Sequence, residues 1–357
     1  MRLSKTVFFA LIGLLVWSLL CPVNHTTLQA AKAKESFLEA PTFRKPLKLP
    51  MRDGKFLAAD LYTSNISVQK PVILIQTPYN KQHYWTNIED KIPFQTKDYH
   101  IVVVDWRGRF ASTKANVSKP NIGEDGYDSV EWIAEQPWSN GKIGTYGGSA
   151  LAQVQFKTAK EQPPHLVCAI PMVKDFRTTY SSYYYGGEFR KEHVAALESL
   201  GFVATDTILS NPIYNNMWKY VENTSDLSFS IDVPMLLIGG WFDHFPDLVL
   251  KAFSDLQNNS EHSVRQKHKL IFGPWMHSGI GKLDQGCLSF PNAEAFAQKN
   301  AVQFMDFYLL NKDNNWEEKN PVQYYQMGEE KWYSEESWDK IPRVSIDFYF
   351  QPNFSLV

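Results

Sequence analysis

Short unbroken apolar runs recur along the chain. They are Val72 to Ile75 in PVILIQTPYNK and Ile101 to Val104 in YHIVVVDWRGRFAS, then further runs in GKIGTYGGS, HLVCAIPMV, VPMLLIGGWFD and HKLIFGPWMH. A strand that is apolar on both sides suits a parallel sheet covered on both faces. Between these runs the period changes. In EDGYDSVEWIAEQPWSN, Tyr127, Val130, Ile133 and Ala134 recur at helical spacing and Pro137 stops the pattern. ALAQVQFKTAKEQ predicts a second helix, and AEAFAQKNAVQFMDFYLL a closing amphipathic one. Strands alternating with helices predict an α/β protein with a mostly parallel, doubly wound sheet. Ahead of it, PLKLPMRDGKFLAADLYTS carries two alternating runs about the Arg52 to Gly54 turn, a hairpin signal.

From residue 175 to 232 the rhythm breaks into TTYSSYYYGGEFR and helical patterns without a buried strand. This stretch predicts a small helical cap inserted over the carboxyl edge of the sheet. The α/β domain then has two parts, 34–174 and 233–317, on either side of the cap. From 318 to 357 the chain is strand-like again, in PVQYYQMGEEKWYSEESW and VSIDFYFQP.

The first 33 residues read differently. Arg2 and Lys5 precede the apolar run Val7 to Leu20, and Ala31-Lys32-Ala33 offers a cleavage site, so a signal peptide is expected. The run is short for a membrane span, which needs about 20 apolar residues. Export to the periplasm or the medium is therefore expected, with no stable membrane insertion after cleavage. A lipoprotein processed at Cys21 is the minor alternative, because leucine precedes that cysteine. Of the remaining cysteines, Cys168 sits in an apolar run and reads as a small buried hydrophobe. A bond from it to Cys287 is not expected, since two cysteines must meet in a narrow geometry.

Composition narrows the function classes. Hydrophobic residues at 44% and charged residues at 21% describe a chain that builds a real core. A net charge of -2 leaves no electrostatic footprint for nucleic acid. No CxxC pair, HExxH or phosphate-binding loop is present, so no metal or organic cofactor is implied.

In an open parallel sheet, functional groups gather beyond the carboxyl ends of the strands. Tyr79 follows the first buried strand, Ser149 the GKIGTYGG strand, Asp243 the MLLIGGWF strand and His277 the LIFGPWM strand. The chain order serine, acid, histidine is that of an α/β-hydrolase triad. Histidine as base activates the serine hydroxyl, and the acid orients the imidazole. The backbone N–H of Ala150 and the hydroxyl of Tyr79 are candidate oxyanion donors. Each residue has an ordinary alternative: a helix N-cap for Ser149, a solvated carboxylate for Asp243, and a hydrogen-bonded structural group for His277 and Tyr79. Asp247 and His244 are the nearest rivals, while His262 and His268 read as surface residues.

The segments MRDGKFLAADLY, TPYNK, DWRGRFAS, DSVEWIAEQPWSNGKIGTYGGS, GGWFDHF and GPWMHS resemble the cocaine esterase family. That family also holds Xaa-Pro dipeptidyl-peptidases, α-amino acid ester hydrolases and glutaryl acylases. The motifs run in family order from about Pro46 to Trp338. The resemblance implies an α/β-hydrolase fold, a Ser149–Asp243–His277 triad and an oxyanion hole from Tyr79 and Ala150. It also implies a helical cap and, from residue 318, the start of a C-terminal jelly roll. Three departures stand out. Ala150 and Ala152 replace the family's tyrosine and glycine after the serine, the cap is short, and the chain ends with the jelly roll only begun.

The expected activity is that of an exported serine hydrolase acting on a small-molecule ester, amide or short peptide through an acyl-enzyme. A Xaa-Pro dipeptidyl-peptidase is the second reading, with Glu188 as a weak anchor for the substrate ammonium. A catalytically inactive hydrolase fold that binds ligands is the reading from another class. Trp241, Phe245, Tyr183, Tyr184 and Tyr185 are candidates for an apolar acyl pocket, with core packing as the alternative for each. The sequence leaves the oligomeric state open.

Overall fold

The computed structural model of the chain describes residues 42–86, 88–344 and 349. The expected signal peptide, and the second strand-like segment from residue 345 onward save residue 349, lie outside them. The main sheet has ten strands: β1 (Phe43–Pro50), β2 (Phe56–Thr63), β3 (Lys70–Thr77), β4 (His100–Asp105), β5 (Ser139–Gly148), β6 (Leu166–Met172), β7 (Leu236–Phe242), β8 (Lys269–Met276), β9 (Val322–Gln326) and β10 (Lys331–Glu335). Their spatial order is β1-β2-β4-β3-β5-β6-β7-β8-β9-β10. The pairings from β4 through β9 are parallel, and the strands beyond at each end pair antiparallel. This is the α/β-hydrolase arrangement that the apolar runs predict.

Every residue of β3 and β4 is buried. The period of two divides them between two cores. Leu74, Val102 and Val104 pack with α1 (Ile122–Ala134), α2 (Ala150–Lys160) and α6 (Pro246–Asn259) on one face. Ile73, Ile75, Ile101 and Val103 pack with α7 (Phe296–Leu310) on the other. Cys168 is free, fully buried and in contact with Met305 Sδ at 3.5 Å, in keeping with its reading as a small hydrophobe.

The stretch 175–232, where a cap is expected, carries α3 (Lys191–Ser199), α4 (Thr205–Leu209), α5 (Asn216–Thr224) and a two-stranded hairpin at 184–189. Tyr184, Val194, Ile208 and Trp218 make its own small core. Arg177 fastens the base of the cap to the domain, pairing with Asp226 at 2.6 Å and Asp255 on α6 at 2.5 Å.

The carboxyl-terminal segment departs from expectation. Val322–Glu335 does not open a separate sandwich but adds β9, parallel to β8, and β10 at the sheet edge. Trp332 of β10 stacks on Phe296 of α7 at 3.7 Å. An edge pair covered on one face alternates in the same way as a sandwich strand, so the pattern alone does not separate the two. A jelly roll would rest on residues outside those described.

The crossing of α1 and α2 requires glycine at 126, where an added Cβ would sit 1.8 Å from Thr158 Oγ1 and 2.8 Å from Thr158 Cβ. Gly126→Ala is expected to destabilise the protein by about 1–3 kcal/mol through overpacking. A denaturant midpoint indistinguishable from wild type would show that the two helices separate freely.

Candidate active site

β5 ends at Gly147 and Gly148, and α2 begins at Ala150. Ser149 joins them with φ 59° and ψ −122°, a conformation that L-residues adopt at a cost of roughly 1–3 kcal/mol. Its N–H donates to Met172 O at 2.9 Å on the neighbouring strand β6. Its hydroxyl makes no capping bond to α2, so the helix N-cap alternative does not describe its side chain. Glycine at 147 is needed, because φ is 144° and a Cβ there would lie 2.6 Å from Leu151 Cβ. The altered residues after the serine are accommodated: Ala150 is buried at the start of α2, and Ala152 is fully buried.

A buried glutamine ties this turn to its surroundings. Gln155 Nε2 donates to Gly147 O at 2.9 Å and Leu151 O at 3.0 Å. Its Oε1 accepts from Thr145 Oγ1 and from Ile170 N, each at 3.1 Å. One side chain thus links β5, β6 and α2 around Ser149.

Asp243 follows β7 and His277 follows β8. His277 Nδ1 lies 2.6 Å from Asp243 Oδ1, which also accepts the His244 N–H at 2.6 Å. The Asp243 side chain is fully buried, and its Oδ2 has no partner among the described residues. Imidazole bound through Nδ1 to a buried carboxylate is fixed in orientation and in tautomer, with Nε2 left to act.

Tyr79 follows β3, its N–H donating to Thr77 Oγ1 at 3.0 Å. Its hydroxyl hydrogen-bonds with Ser149, and burial raises its pKa against the opposing effects of that bond and of Arg109. It therefore stays a neutral donor at ordinary pH. Ala150 is the first residue of α2, so its N–H has no intrahelical partner.

Tyr79, Ser149, Ala150 and His277 all line one cavity of about 340 Å³, roofed by cap residues including Leu197, Leu200 and Phe202. Of the five pocket candidates, Phe245 and Tyr183 line this cavity and three do not. Trp241 donates its indole N–H to Tyr325 O at 2.9 Å and packs on Phe272. Tyr184 donates to Ile208 O at 3.0 Å inside the cap core. Tyr185 is 59% exposed and borders a smaller side pocket. In the first two, a polar tip finds a backbone carbonyl that places the ring in a core.

His244, the rival base, lines the cavity with its ring 5.3 Å from His277, but Asp243 contacts it only through its backbone N–H. Asp247 is exposed in the first turn of α6. His193 from α3 also lines the cavity, and burial followed by the nearby Arg190 pulls its pKa down to about 4. Its helical pattern carried no signal beyond that of a cap helix. His268 corrects its reading as a surface residue. It is fully buried, accepting from Met235 N at 3.2 Å and meeting Ser260 Oγ at 2.9 Å.

Burial pulls the His268 pKa down to about 3, against about 6.5 in an unfolded chain. Between those values the unfolded state binds more protons, so stability falls as pH drops from 6.5 toward 3. The expected slope is about 1.4 kcal/mol per pH unit from this residue. His268→Gln, measured by denaturant unfolding across that range, should remove that share, and an unchanged slope would contradict it.

A model of the X-Pro dipeptidyl-peptidase (S15) family matches residues 53–208 and 194–279. Cocaine esterase from Rhodococcus sp. (strain MB1 Bresler) is 23% identical over 359 residues, covering 84% of this chain and 61% of its own. An aminopeptidase from the marine sediment archaeon Thaumarchaeota archaeon shares the fold with a TM-score of 0.70 at 20% identity, over 94% of this chain and 64% of that one. An α-amino acid ester hydrolase does so with a TM-score of 0.65 at 19% identity, over 88% and 62%. The chain spans less than two thirds of the length of each of these relatives.

Proposed function

Since this chain belongs to the X-Pro dipeptidyl-peptidase (S15) family, we propose that it is an exported serine hydrolase that opens acyl esters or amides through an acyl-enzyme on Ser149. The observation that carries this reading is the 2.6 Å bond from His277 to buried Asp243 beside a serine held in a strained turn and released from helix capping.

In this mechanism His277 Nε2 takes the Ser149 hydroxyl proton as Oγ attacks the substrate carbonyl carbon. The carbonyl oxygen becomes an oxyanion, stabilised by the Ala150 N–H and the Tyr79 hydroxyl. Collapse of the intermediate expels the alcohol or amine, which receives its proton from His277. Water, deprotonated by the same imidazole, then attacks the acyl-enzyme and releases the acid. Asp243 stays ionised and stabilises the imidazolium.

The family's name favours a second reading, hydrolysis after an Xaa-Pro pair. That substrate presents an α-ammonium, and no aspartate or glutamate is among the described residues lining the cavity. Glu188, the weak anchor, is exposed on the cap hairpin. The charge of the cavity thus supports acyl esters and amides without a free amino group.

Fluorophosphonate labelling tests the chemistry. Wild type is expected to label and Ser149→Ala not to. Asp243→Asn is expected to lower the rate on p-nitrophenyl esters by about 10⁴-fold. A folded wild type that does not label would favour a ligand-binding role, and faster turnover of Xaa-Pro p-nitroanilides than of esters would favour the peptidase.

Export rests on the basic, apolar and A-x-A elements of residues 1–33. Expression of the full chain is expected to yield a mature amino terminus near Lys34 in the periplasmic or medium fraction, read by mass spectrometry. Cytosolic protein retaining Met1 would overturn it.

A further inference from the structure

Besides the Arg177 pairs, the stretch 175–232 meets the domain where α3 ends. There the Gly201 N–H donates to Glu198 O at 2.8 Å and the Phe202 N–H to Leu197 O at 2.9 Å. This paired closure of a helix needs a left-handed residue just past its end, and Gly201 has φ 70°. The turn sends Phe202, half-buried, to the wall of the main cavity, beside Leu197, Leu200 and Val203 of the same stretch.

From the domain side, Arg109 grips that turn. It stands after β4, where its N–H donates to Trp106 O at 3.0 Å and its carbonyl accepts from Ser112 N at 2.7 Å. Its Nη2 donates to Gly201 O at 3.3 Å, and its guanidinium carbon lies 5.5 Å from the centre of the Phe202 ring. A cation near an aromatic face is attracted by the ring quadrupole, and a planar guanidinium can hydrogen-bond at the same time. A Cβ on residue 201 would come within 3.2 Å of the same Nη2, so glycine there also admits the grip. The Phe202 ring in turn meets Tyr79 nearly at right angles, at 6.2 Å between centres, and Trp106 at the same distance. The oxyanion donor proposed above is thus in contact with a ring that Arg109 holds in place.

The leaving group must lie where His277 can protonate it. His244 and Phe245 pack on that side, their rings 5.3 and 5.9 Å from His277. Phe202 packs instead with Tyr79, Trp106 and Arg109, over the ground left to the acyl group. We propose that Phe202 is a specificity-determining residue that limits the size of the acyl group, and that Arg109 is the positioning residue that holds it against Tyr79. The inference rests on the hydrolase reading above. Without the Phe202 ring the cavity widens toward Tyr79, and a broad acyl group gains room that a small one does not use. Without Arg109 the ring loses its restraint from the domain, and the same limit weakens.

The test uses the full chain and p-nitrophenyl esters of acetate, butyrate and 1-naphthoate. Wild type is compared with Phe202→Ala, Phe202→Leu, Arg109→Met and the Phe202→Ala/Arg109→Met double variant, each checked for folding. The naphthoate-to-acetate ratio of kcat/KM should rise about 10-fold in Phe202→Ala. Phe202→Leu and Arg109→Met should move it less, in the same direction. In the Phe202→Ala background, Arg109→Met should add nothing further, because both act through one ring. Fluorophosphonate labelling of Ser149 is read in parallel for every variant. An unchanged ratio in folded Phe202→Ala, or in Phe202→Leu should the alanine variant not fold, would overturn the size limit while labelling leaves the hydrolase standing. Effects of Arg109→Met and Phe202→Ala that add in full would overturn the positioning role. Absence of labelling in folded wild type would remove the hydrolase itself, and the proposal with it.

Discussion

The backbone at Ser149 is held where an L-residue does not rest unaided. With φ at 59° the serine stands on a turn that costs roughly 1–3 kcal/mol, and the surrounding structure must over-determine it. Its N–H is fixed to β6, its carbonyl accepts from Ala152 and Gln153, and Gln155 bridges the strands on either side. Glycine at 147 leaves room for Leu151. These restraints take the hydroxyl away from helix capping and present it to the cavity beside Tyr79. The proposed chemistry needs that displacement before it needs a base.

The second half of the site depends on polar groups buried under the loops after β3 and β4. Asp105 accepts from Lys81 N at 2.7 Å and from Ala111 N at 3.1 Å. Lys81 Nζ reaches Asp60 at 2.7 Å, and both side chains are nearly inaccessible. Removing Asp60 from such a buried pair typically costs about 3–5 kcal/mol, because Lys81 is left charged and alone, whereas Asp60 without Lys81 still pairs with Arg44 at 3.2 Å. Arg107 joins the turn after β4 to Asp125 on α1. In the sequence, TPYNK and DWRGRFAS served as marks of resemblance. In the structure their charged residues fix the loop that carries Tyr79.

The strand ends were legible because a buried parallel strand admits few other readings. Four such ends place Tyr79, Ser149, Asp243 and His277 around one space once the sheet order follows. What stayed illegible depended on partners distant in sequence. Trp241 belongs to a core because Tyr325 of β9 offers a carbonyl, 84 residues away. His268 is buried because Met235 N and Ser260 Oγ both meet its ring. The place of β9 beside β8 rests on register, which alternation does not encode. Inside the cap, four buried side chains make the core, too few for periodicity to show which aromatic residue faces inward.

Sheet and cap accordingly carry different burdens. The groups proposed for bond breaking stand on strand ends, within two large cores where a shift in one element moves its neighbours. The cap rests on a small core of its own and is fastened below by Arg177. Its residues at the cavity, among them Tyr183, His193, Leu197 and Phe202, are not needed to hold the strained serine. A change of shape or charge there alters which acyl group fits while leaving Ser149, His277 and Asp243 in register. Selectivity that resides in a weakly coupled layer can diverge while the chemistry beneath it is conserved by packing.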